Sequence, residues 1–246
     1  MTPPLGEPWV AQSGPVIPDF GKGSNCVVEN RLFCPDWVRD NWSGTLQPAL
    51  VEHVKLTLVA VAVGFVLSFG AALVTHRFRL FEKPLVAFTA IVYTIPSLAL
   101  FQLLVPVTGL TVATVEVALV GYTLLILFRN ILEGLRSVPP DVLEAARGMG
   151  FTRRQTLWRV ELPLALPATM AGLRVAVVST IALATVAALV IPQGLGYPIF
   201  LALHEAFKTE ILVAGALAVG LALVADALLV IAERALTPWN RARRAS

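Results

Sequence analysis

Charged side chains are scarce in this chain. Only 14% of its 246 residues are Asp, Glu, Lys or Arg, whereas 57% are hydrophobic. Soluble domains usually contain about a quarter charged residues. A soluble globular fold is therefore excluded, because this much apolar sequence needs lipid around it. The length suits one domain with a handful of spans of roughly 20 residues each, and we predict an all-α integral membrane protein.

The chain also lacks the motifs of several kinds of reactive site. Its three histidines, His53, His76 and His204, have no partner at a metal-ligand spacing, so no metal site is expected. Gly21-Lys22 lacks the upstream glycine of a phosphate-binding loop. No nucleophile–base pair is recognisable. We therefore predict that the chain is not an enzyme and binds no cofactor, and that any ATP chemistry resides in a partner chain.

The first fifty residues differ in composition from the rest of the chain. They contain seven of the seventeen prolines, several glycines and three of the five tryptophans. We predict that residues 1–50 form an irregular segment outside the cytoplasm, ending in a short interfacial helix near residues 35–42, because tryptophan favours the lipid headgroup level. No signal-peptide pattern is visible there, so we expect the first span to direct its own insertion.

Cysteine is nearly absent. Cys26 and Cys34 are the only two, and both lie in this first segment. Oxidising conditions outside the cytoplasm permit a disulfide. We predict a Cys26–Cys34 bond that closes a small loop, with two free thiols as the alternative.

Uncharged runs mark five predicted spans. These runs lie at residues 56–75, 84–106, 112–128, within 166–191, and 211–232. Each must be helical, because lipid offers no partner for backbone amides and the two-residue alternation of a barrel is missing. Gly64, Ser68 and Ala72 share one face of the first span, which permits close helix packing. The predicted transmembrane domain covers residues 51–238, followed by a basic tail at 239–246.

Lysine and arginine set the predicted orientation. They concentrate after the first span, after the third span and in the tail, and these segments share one side if there are five spans. We therefore predict an N-terminus outside and a C-terminus in the cytoplasm. The net charge of +3 is then a topology signal, and no nucleic-acid partner is expected.

The loop between the third and fourth spans, residues 137–163, has the pattern of two short helices joined by a bend. Pro140 suits the start of the first helix, and Gly150 suits its end. Thr152, with Gln155 three residues later, matches a capping box for the second helix.

The same loop carries a spaced signature. Its members are Glu144-Ala145-Ala146, Gly150, Val160, Leu162 and Pro163. Their order and intervals closely resemble the cytoplasmic loop signature of type I ABC importer permeases, with valine in place of the usual isoleucine. The resemblance implies a coupling helix that docks into a cleft on an ATPase subunit. The alternative is a generic amphipathic loop at the membrane surface.

Other stretches resemble the osmoprotectant branch of that family, whose members import glycine betaine, choline, carnitine or proline. They lie at residues 93–100, 128–138, 171–174, 194–200 and 233–238. The resemblance covers about residues 50–238. It implies a multi-pass plasma-membrane permease that works by alternating access. The implied partners are two ATPase subunits that bind ATP and Mg²⁺, a second permease copy or paralogue, and an extracytoplasmic substrate-binding protein.

Two groups of residues are candidates for the transport pathway. The first surrounds Pro96 in the second span and comprises Tyr93, Thr94, Pro96, Ser97 and Gln102. Proline bends the helix, and these polar groups would line a pathway or, alternatively, pack against a partner subunit. The second comprises Gly194, Gly196 and Pro198, which we predict to form a non-helical stretch at an outer gate.

Three charged residues lie inside predicted spans, where charge is costly. Glu116 is near the outer end of the third span, and we expect it to reach water. Arg174 and Asp226 lie in the inner parts of the fourth and fifth spans. We predict that Arg174 pairs with Asp226 or another carboxylate, in a structural role rather than in contact with substrate.

Two other readings are weighed against an osmoprotectant permease. An importer of amino acids or other small solutes would have the same coupling loop. A secondary transporter without an ATPase belongs to a different class, and the chain lacks the paired broken spans typical of it.

Overall fold

The computed structural model describes residues 25–239, and within that range the chain is helical without strands. The helices are α1 Asn25–Val28, α2 Pro35–Asn41, α3 Gln47–Arg77, α4 Glu82–Thr94, α5 Ser97–Thr108, α6 Val112–Arg136, α7 Pro140–Gly148, α8 Arg153–Thr156, α9 Leu162–Val186, α10 Gly196–His204 and α11 Lys208–Leu236. Residues 1–24 of the predicted irregular segment, and almost all of the predicted basic tail, lie outside the described residues.

Four long apolar helices can cross a membrane, and a bent pair supplies a fifth span. The long helices run continuously over Pro35–Arg77, Val112–Arg136, Arg153–Leu189 and Lys208–Leu236. The pair α4 and α5 is bent by 100°. The all-α architecture and the number of spans expected from the uncharged runs are therefore confirmed.

The break between α4 and α5 is sharper than a bend in one helix. Ile95 has ψ 128° and Pro96 has ψ 138°, so both residues leave the helical region. A proline disfavours helical geometry in the residue before it and cannot donate a backbone hydrogen bond itself. Two consecutive extended residues turn the chain, and the second span becomes two half-helices.

The central helices are α6 and α9. α3 packs along α6, α6 packs along α9, and α11 packs on the far side of α9. Gly172 on α9 lies against Asn130 on α6, where an added Cβ would be 2.4 Å from the Asn130 Cβ. Gly64, Ser68 and Ala72 are buried on the face of α3 that meets this bundle, so the small residues serve the close packing predicted for them.

The outer helix α11 presents large apolar side chains away from the bundle. Val219, Leu223 and Leu228 are each more than half exposed. An added Cβ on Gly215 or Gly220 would meet nothing within 4 Å. These two glycines therefore do not serve close packing against residues 25–239.

Residues 25–50 are more ordered than the irregular segment that we predicted. They form α1, α2 and the beginning of α3, and the predicted boundary at residue 50 falls inside one continuous helix. The expected short helix is present as α2, Pro35–Asn41. Helix formation satisfies the backbone groups of a segment that lies close to lipid.

A disulfide bond joins Cys26 to Cys34 and closes the loop between α1 and α2. This loop packs on the connection between α10 and α11. The Asn30 side chain donates to the carbonyl of Ala206 at 2.9 Å and accepts from the amide of Lys208 at 3.0 Å. The loop that the disulfide closes thus contacts the start of α11 and stabilises its position.

Two π-helical turns precede prolines in long helices. One covers Trp42–Leu46, before Pro48, and the other covers Leu157–Glu161, before Pro163. A proline ring clashes with the carbonyl of an earlier turn of a helix. A widened turn relieves that clash, so both helices continue through their prolines.

Candidate functional site

The signature loop, residues 137–163, contains one helix that is not continuous with a spanning helix, α7. Its start has Pro140 in the first turn and Asp141 beside it. Its end has the Schellman pattern, in which Gly150 donates to the Arg147 carbonyl at 2.9 Å and Phe151 donates to the Ala146 carbonyl at 3.1 Å. Gly150 has a φ of +81°. Glycine is favoured there because a side chain is strained in this left-handed conformation.

The signature residues of α7 do not all lie on its exposed face. Ala146 is only 1% exposed, so it packs inside its own chain. Glu144 and Ala145 are exposed. A docking partner would therefore meet Glu144 and Ala145 and would not reach Ala146.

The second predicted short helix is not a separate element. Thr152 and Gln155 form the predicted capping box at the start of α8. From there the chain is helical through the π turn and α9 as far as Leu189. Leu162 and Pro163 therefore lie within a long spanning helix and do not belong to a second short helix of the loop.

Both ends of the loop lie next to side-chain pairs that each include a carboxylate. Arg136, at the end of α6, donates two hydrogen bonds to Glu82 at the start of α4, at 2.6 and 2.7 Å. His76, near the end of α3, lies 2.7 Å from the Glu161 carboxylate before α9. These pairs join the end of α6 to α4, and the turn before α9 to α3.

A cavity of about 430 Å³ lies at the break of the second span. The walls come from the α4–α5 break, the middle of α6 and the middle of α9. Its lining residues are Tyr93, Thr94, Ile95, Pro96, Ser97, Tyr122, Thr123, Ile126, Ala176, Ser179, Thr180, Ala182 and Leu183. This lining contains no charged side chain.

Four of the five residues predicted around Pro96 line this cavity, and Gln102 does not. The Tyr93 and Tyr122 rings meet edge to face, with centroids 5.8 Å apart. The Tyr122 hydroxyl donates to the Ile95 carbonyl, a group that the helix break leaves without its usual partner. Tyr122 thereby holds the break in place.

The predicted outer-gate stretch is only partly non-helical. Gly194 lies in a turn with a φ of +71°. Gly196 and Pro198 lie instead in the first turn of α10, where a proline needs no backbone donor. An added Cβ on Gly196 would be 1.9 Å from the Thr185 carbonyl oxygen, so this glycine permits close backbone contact.

A buried histidine, which the sequence did not single out as functional, holds this turn. Nδ1 of His53 accepts a hydrogen bond from the Leu195 amide at 3.2 Å, so the ring is the neutral form with its proton on Nε2. Nε2 then donates to the Ile181 carbonyl on α9 at 3.0 Å. Beside it, Glu52 accepts from the Gly194 amide at 3.0 Å. These contacts join residues more than 120 positions apart, so no local spacing signals them.

The charges inside the spans also have defined environments. Arg174 pairs with Asp226, as predicted, and its Nη1 lies 3.9 Å from a carboxylate oxygen of Glu233. Oε2 of Glu116 is buried and has no hydrogen-bond partner among the described residues. Glu116 as a whole is half-buried, so the expectation that it reaches water stays a prediction.

Comparison with solved structures identifies the fold. The chain superposes on the MetNI methionine ABC transporter in an inward-facing conformation with a TM-score of 0.66 and 21% identity, covering 82% of this chain and 96% of that one. An amino acid ABC transporter gives a TM-score of 0.62 with 18% identity, covering 80% and 97%. The helices are therefore arranged as in ABC importer permeases.

Three bacterial permeases are similar in sequence. The choline transport system permease protein OpuBB of Bacillus subtilis is 35% identical over 201 residues, which is 81% of this chain and 92% of that protein. The glycine betaine/carnitine/choline permease OpuCB of the same organism is 34% identical over 188 residues, covering 76% and 86%. The osmoprotectant import permease OsmW of Salmonella typhimurium is 35% identical over 210 residues, covering 82% and 96%.

The family model for binding-protein-dependent transport system inner membrane components matches residues 64–241. This match spans most of the chain and includes α7, the broken span and the turn at Gly194. Together with the apolar helices, it makes the chain a multi-pass inner-membrane protein. The chain belongs to the family of inner membrane components of binding-protein-dependent transport systems.

Proposed function

We propose that this chain is the permease subunit of an ATP-driven importer for an osmoprotectant of the choline, glycine betaine or carnitine type. The observation that carries the proposal is the similarity to three permeases named for such solutes, over most of each chain. The chain itself performs no ATP chemistry in this account. Its helices form the solute pathway.

The uncharged cavity at the broken span supports a quaternary ammonium cargo. Such a cation has no N–H group to donate, so it needs no carboxylate or carbonyl acceptor and is instead attracted to aromatic faces. Tyr93 and Tyr122 place two rings at this cavity. A primary ammonium group, as in an amino acid, would find hydroxyl acceptors but no carboxylate in this lining.

The driving force would enter through α7. Two ATPase subunits, which bind ATP and Mg²⁺, would each receive one α7 from one permease. Closure of the ATPases would move α7, and the pairs Arg136–Glu82 and His76–Glu161 would pass the displacement to the bundle. The loop would lie in the cytoplasm and the N-terminal segment on the outer side.

A second permease, identical or related, would complete the pathway. Tyr93 and Thr94 line the cavity and are also exposed in the single chain. A cavity with such an open wall does not enclose a solute by itself. An extracytoplasmic binding protein would deliver the solute to the outer mouth, near the turn at Gly194.

A competition assay tests the choice of solute. The permease, its ATPase and its binding protein are reconstituted in liposomes, and uptake of labelled choline and glycine betaine is measured against unlabelled competitors. We expect quaternary ammonium compounds to compete and methionine or histidine to have no effect. Uptake of an amino acid with no transport of quaternary ammonium compounds would refute the proposed cargo while leaving the ATP-driven permease intact.

A further inference from the structure

A cationic pocket lies where the α7–α8 segment meets the end of α3. Its volume is about 900 Å³. Five arginines line it: Arg77, Arg79, Arg147, Arg153 and Arg154. They come from two parts of the chain, the end of the first span and the signature loop, which the fold brings together.

Five arginines and one carboxylate line this pocket. The carboxylate that lines it belongs to Glu161, which already lies 2.7 Å from His76. Among residues 25–239, none of the five arginines makes a salt bridge. Like charges gathered on one wall repel each other, so an anion bound there would stabilise the arrangement.

The pocket also has an apolar wall. Leu73, Leu143, Phe151 and Leu157 line it, and all four are half-buried. Leu73 belongs to the uncharged run of the first span, and Arg77 follows it by one helical turn. The pocket therefore lies at the end of the apolar run of α3, where a lipid headgroup would meet a spanning helix. A soluble anion or an acidic peptide has no use for an apolar wall at that depth.

We propose that this pocket binds an anionic phospholipid, with its phosphate on the arginines and its glycerol and first acyl carbons against the leucines and Phe151. Arginine suits this ligand because its planar guanidinium donates two parallel hydrogen bonds to phosphate oxygens. Basic pockets on the cytoplasmic side of membrane proteins take anionic headgroups by the same chemistry. This pocket shares no lining residue with the cavity at the broken span, so the proposal stands apart from the identity of the solute.

The bound lipid would connect α7 to the membrane. Leu143 and Arg147 are on α7, whereas Leu73 and Arg77 are on α3. A lipid that contacts both would fix the position of α7 relative to the bundle.

Native mass spectrometry of the full-length permease in mild detergent tests the proposal. The protein is titrated with dioleoylphosphatidylglycerol and, separately, with dioleoylphosphatidylcholine. We expect retained phosphatidylglycerol adducts and no comparable phosphatidylcholine adducts. Each arginine near an anionic surface contributes about fivefold in affinity, so R153Q/R154Q should weaken retention about 25-fold. R77Q, on the opposite wall, should weaken it about fivefold by the same reasoning.

R159Q is the matched control. Arg159 is exposed in the same segment but does not line the pocket, so this variant should retain lipid like the unmodified protein. Equal losses in R159Q and R77Q, which each remove one charge, would show diffuse attraction and overturn the proposal. Displacement of the lipid by millimolar inorganic phosphate would show a free-anion site. Release of the lipid on addition of the partner ATPase would show an ATPase contact, and either result would contradict a lipid site.

Discussion

Arg174 on α9 donates two hydrogen bonds to Asp226 on α11, from Nε to Oδ1 at 2.7 Å and from Nη2 to Oδ2 at 3.0 Å. This bidentate geometry fixes both the distance and the rotation of α11 relative to α9. The pair is therefore a directional contact between these two helices within the spans.

The Arg174–Asp226 pair predicts that the effects of the two single substitutions on the melting temperature are not additive. R174Q and D226N should each lower the melting temperature in detergent, because each leaves a charged partner uncompensated in a span. The double variant R174Q/D226N should recover most of the loss, since neither charge then remains. E233Q, which removes only the contact at 3.9 Å, should have a smaller effect. Additive losses in the double variant would show that the two side chains act independently.

Removal of the His53 ring is expected to lower the stability of the protein, because the ring makes two buried hydrogen bonds. H53L removes the acceptor for the buried Leu195 amide and the donor for the Ile181 carbonyl. A buried polar group left without a partner costs about 1–3 kcal/mol. H53N keeps an acceptor near the position of Nδ1 and should be less harmful.

Thermal unfolding of H53L, H53N and H204L measures this difference. His204 is exposed, and its hydrogen bond and ring contact within residues 25–239 are with the nearby Phe200, so H204L should leave the melting temperature nearly unchanged. Equal stability of H53L and H204L would mean that the ring does not hold the turn at Gly194.

Gly172 and Gly215 offer a matched pair of glycines inside long helices. G172A would place a Cβ 2.4 Å from the Asn130 Cβ, whereas G215A meets nothing within 4 Å. Overpacking in a well-packed interior costs about 1–3 kcal/mol, so G172A should destabilise the protein. G215A should be neutral or slightly stabilising, since alanine favours helix more than glycine. Unfolding in detergent measures both, and similar values for the two variants would count against the close α6–α9 approach.

Much of the fold follows from where charges are missing. Lipid-crossing helices cannot carry many charges, so uncharged runs locate α3, α6, α9 and α11 directly. The run at 84–106 also locates the second span, and Pro96 marks its bend. The angle of the break, 100°, was not predictable. It depends on Ile95 also leaving the helical region and on the hydrogen bond that the Tyr122 hydroxyl donates to the Ile95 carbonyl.

The candidate site is predictable only in its local parts. The end of α7 at Gly150 and the capping box at Thr152 depend on neighbouring residues, and the sequence pattern indicates both. The cavity combines α4, α6 and α9, so Thr123 and Ser179 carry no local signal of their place in it. The burial of Ala146 could not be predicted either, because it depends on how α7 packs against the bundle.

Substitution of Gly150 and of Gly148 by alanine tests whether the turn after α7 needs the left-handed backbone that glycine favours. G150A places a side chain in a left-handed conformation, which costs about 1–2 kcal/mol. G148A is in the helix and meets nothing within 4 Å. We expect G150A to reduce solute-stimulated ATPase activity of the reconstituted complex and G148A to leave it unchanged. Equal activity of the two variants would show that the turn after α7 has no part in coupling.

The most direct test of an ATP-driven permease is uptake by liposomes that contain E144R. Glu144 is exposed on α7 and makes no salt bridge within residues 25–239, so the charge reversal should leave the fold intact. We predict that E144R keeps the melting temperature of the unmodified permease, fails to co-purify with the ATPase, and loses ATP-dependent choline uptake. Full ATPase binding and uptake by E144R, or uptake by the unmodified permease without any ATPase, would contradict the account.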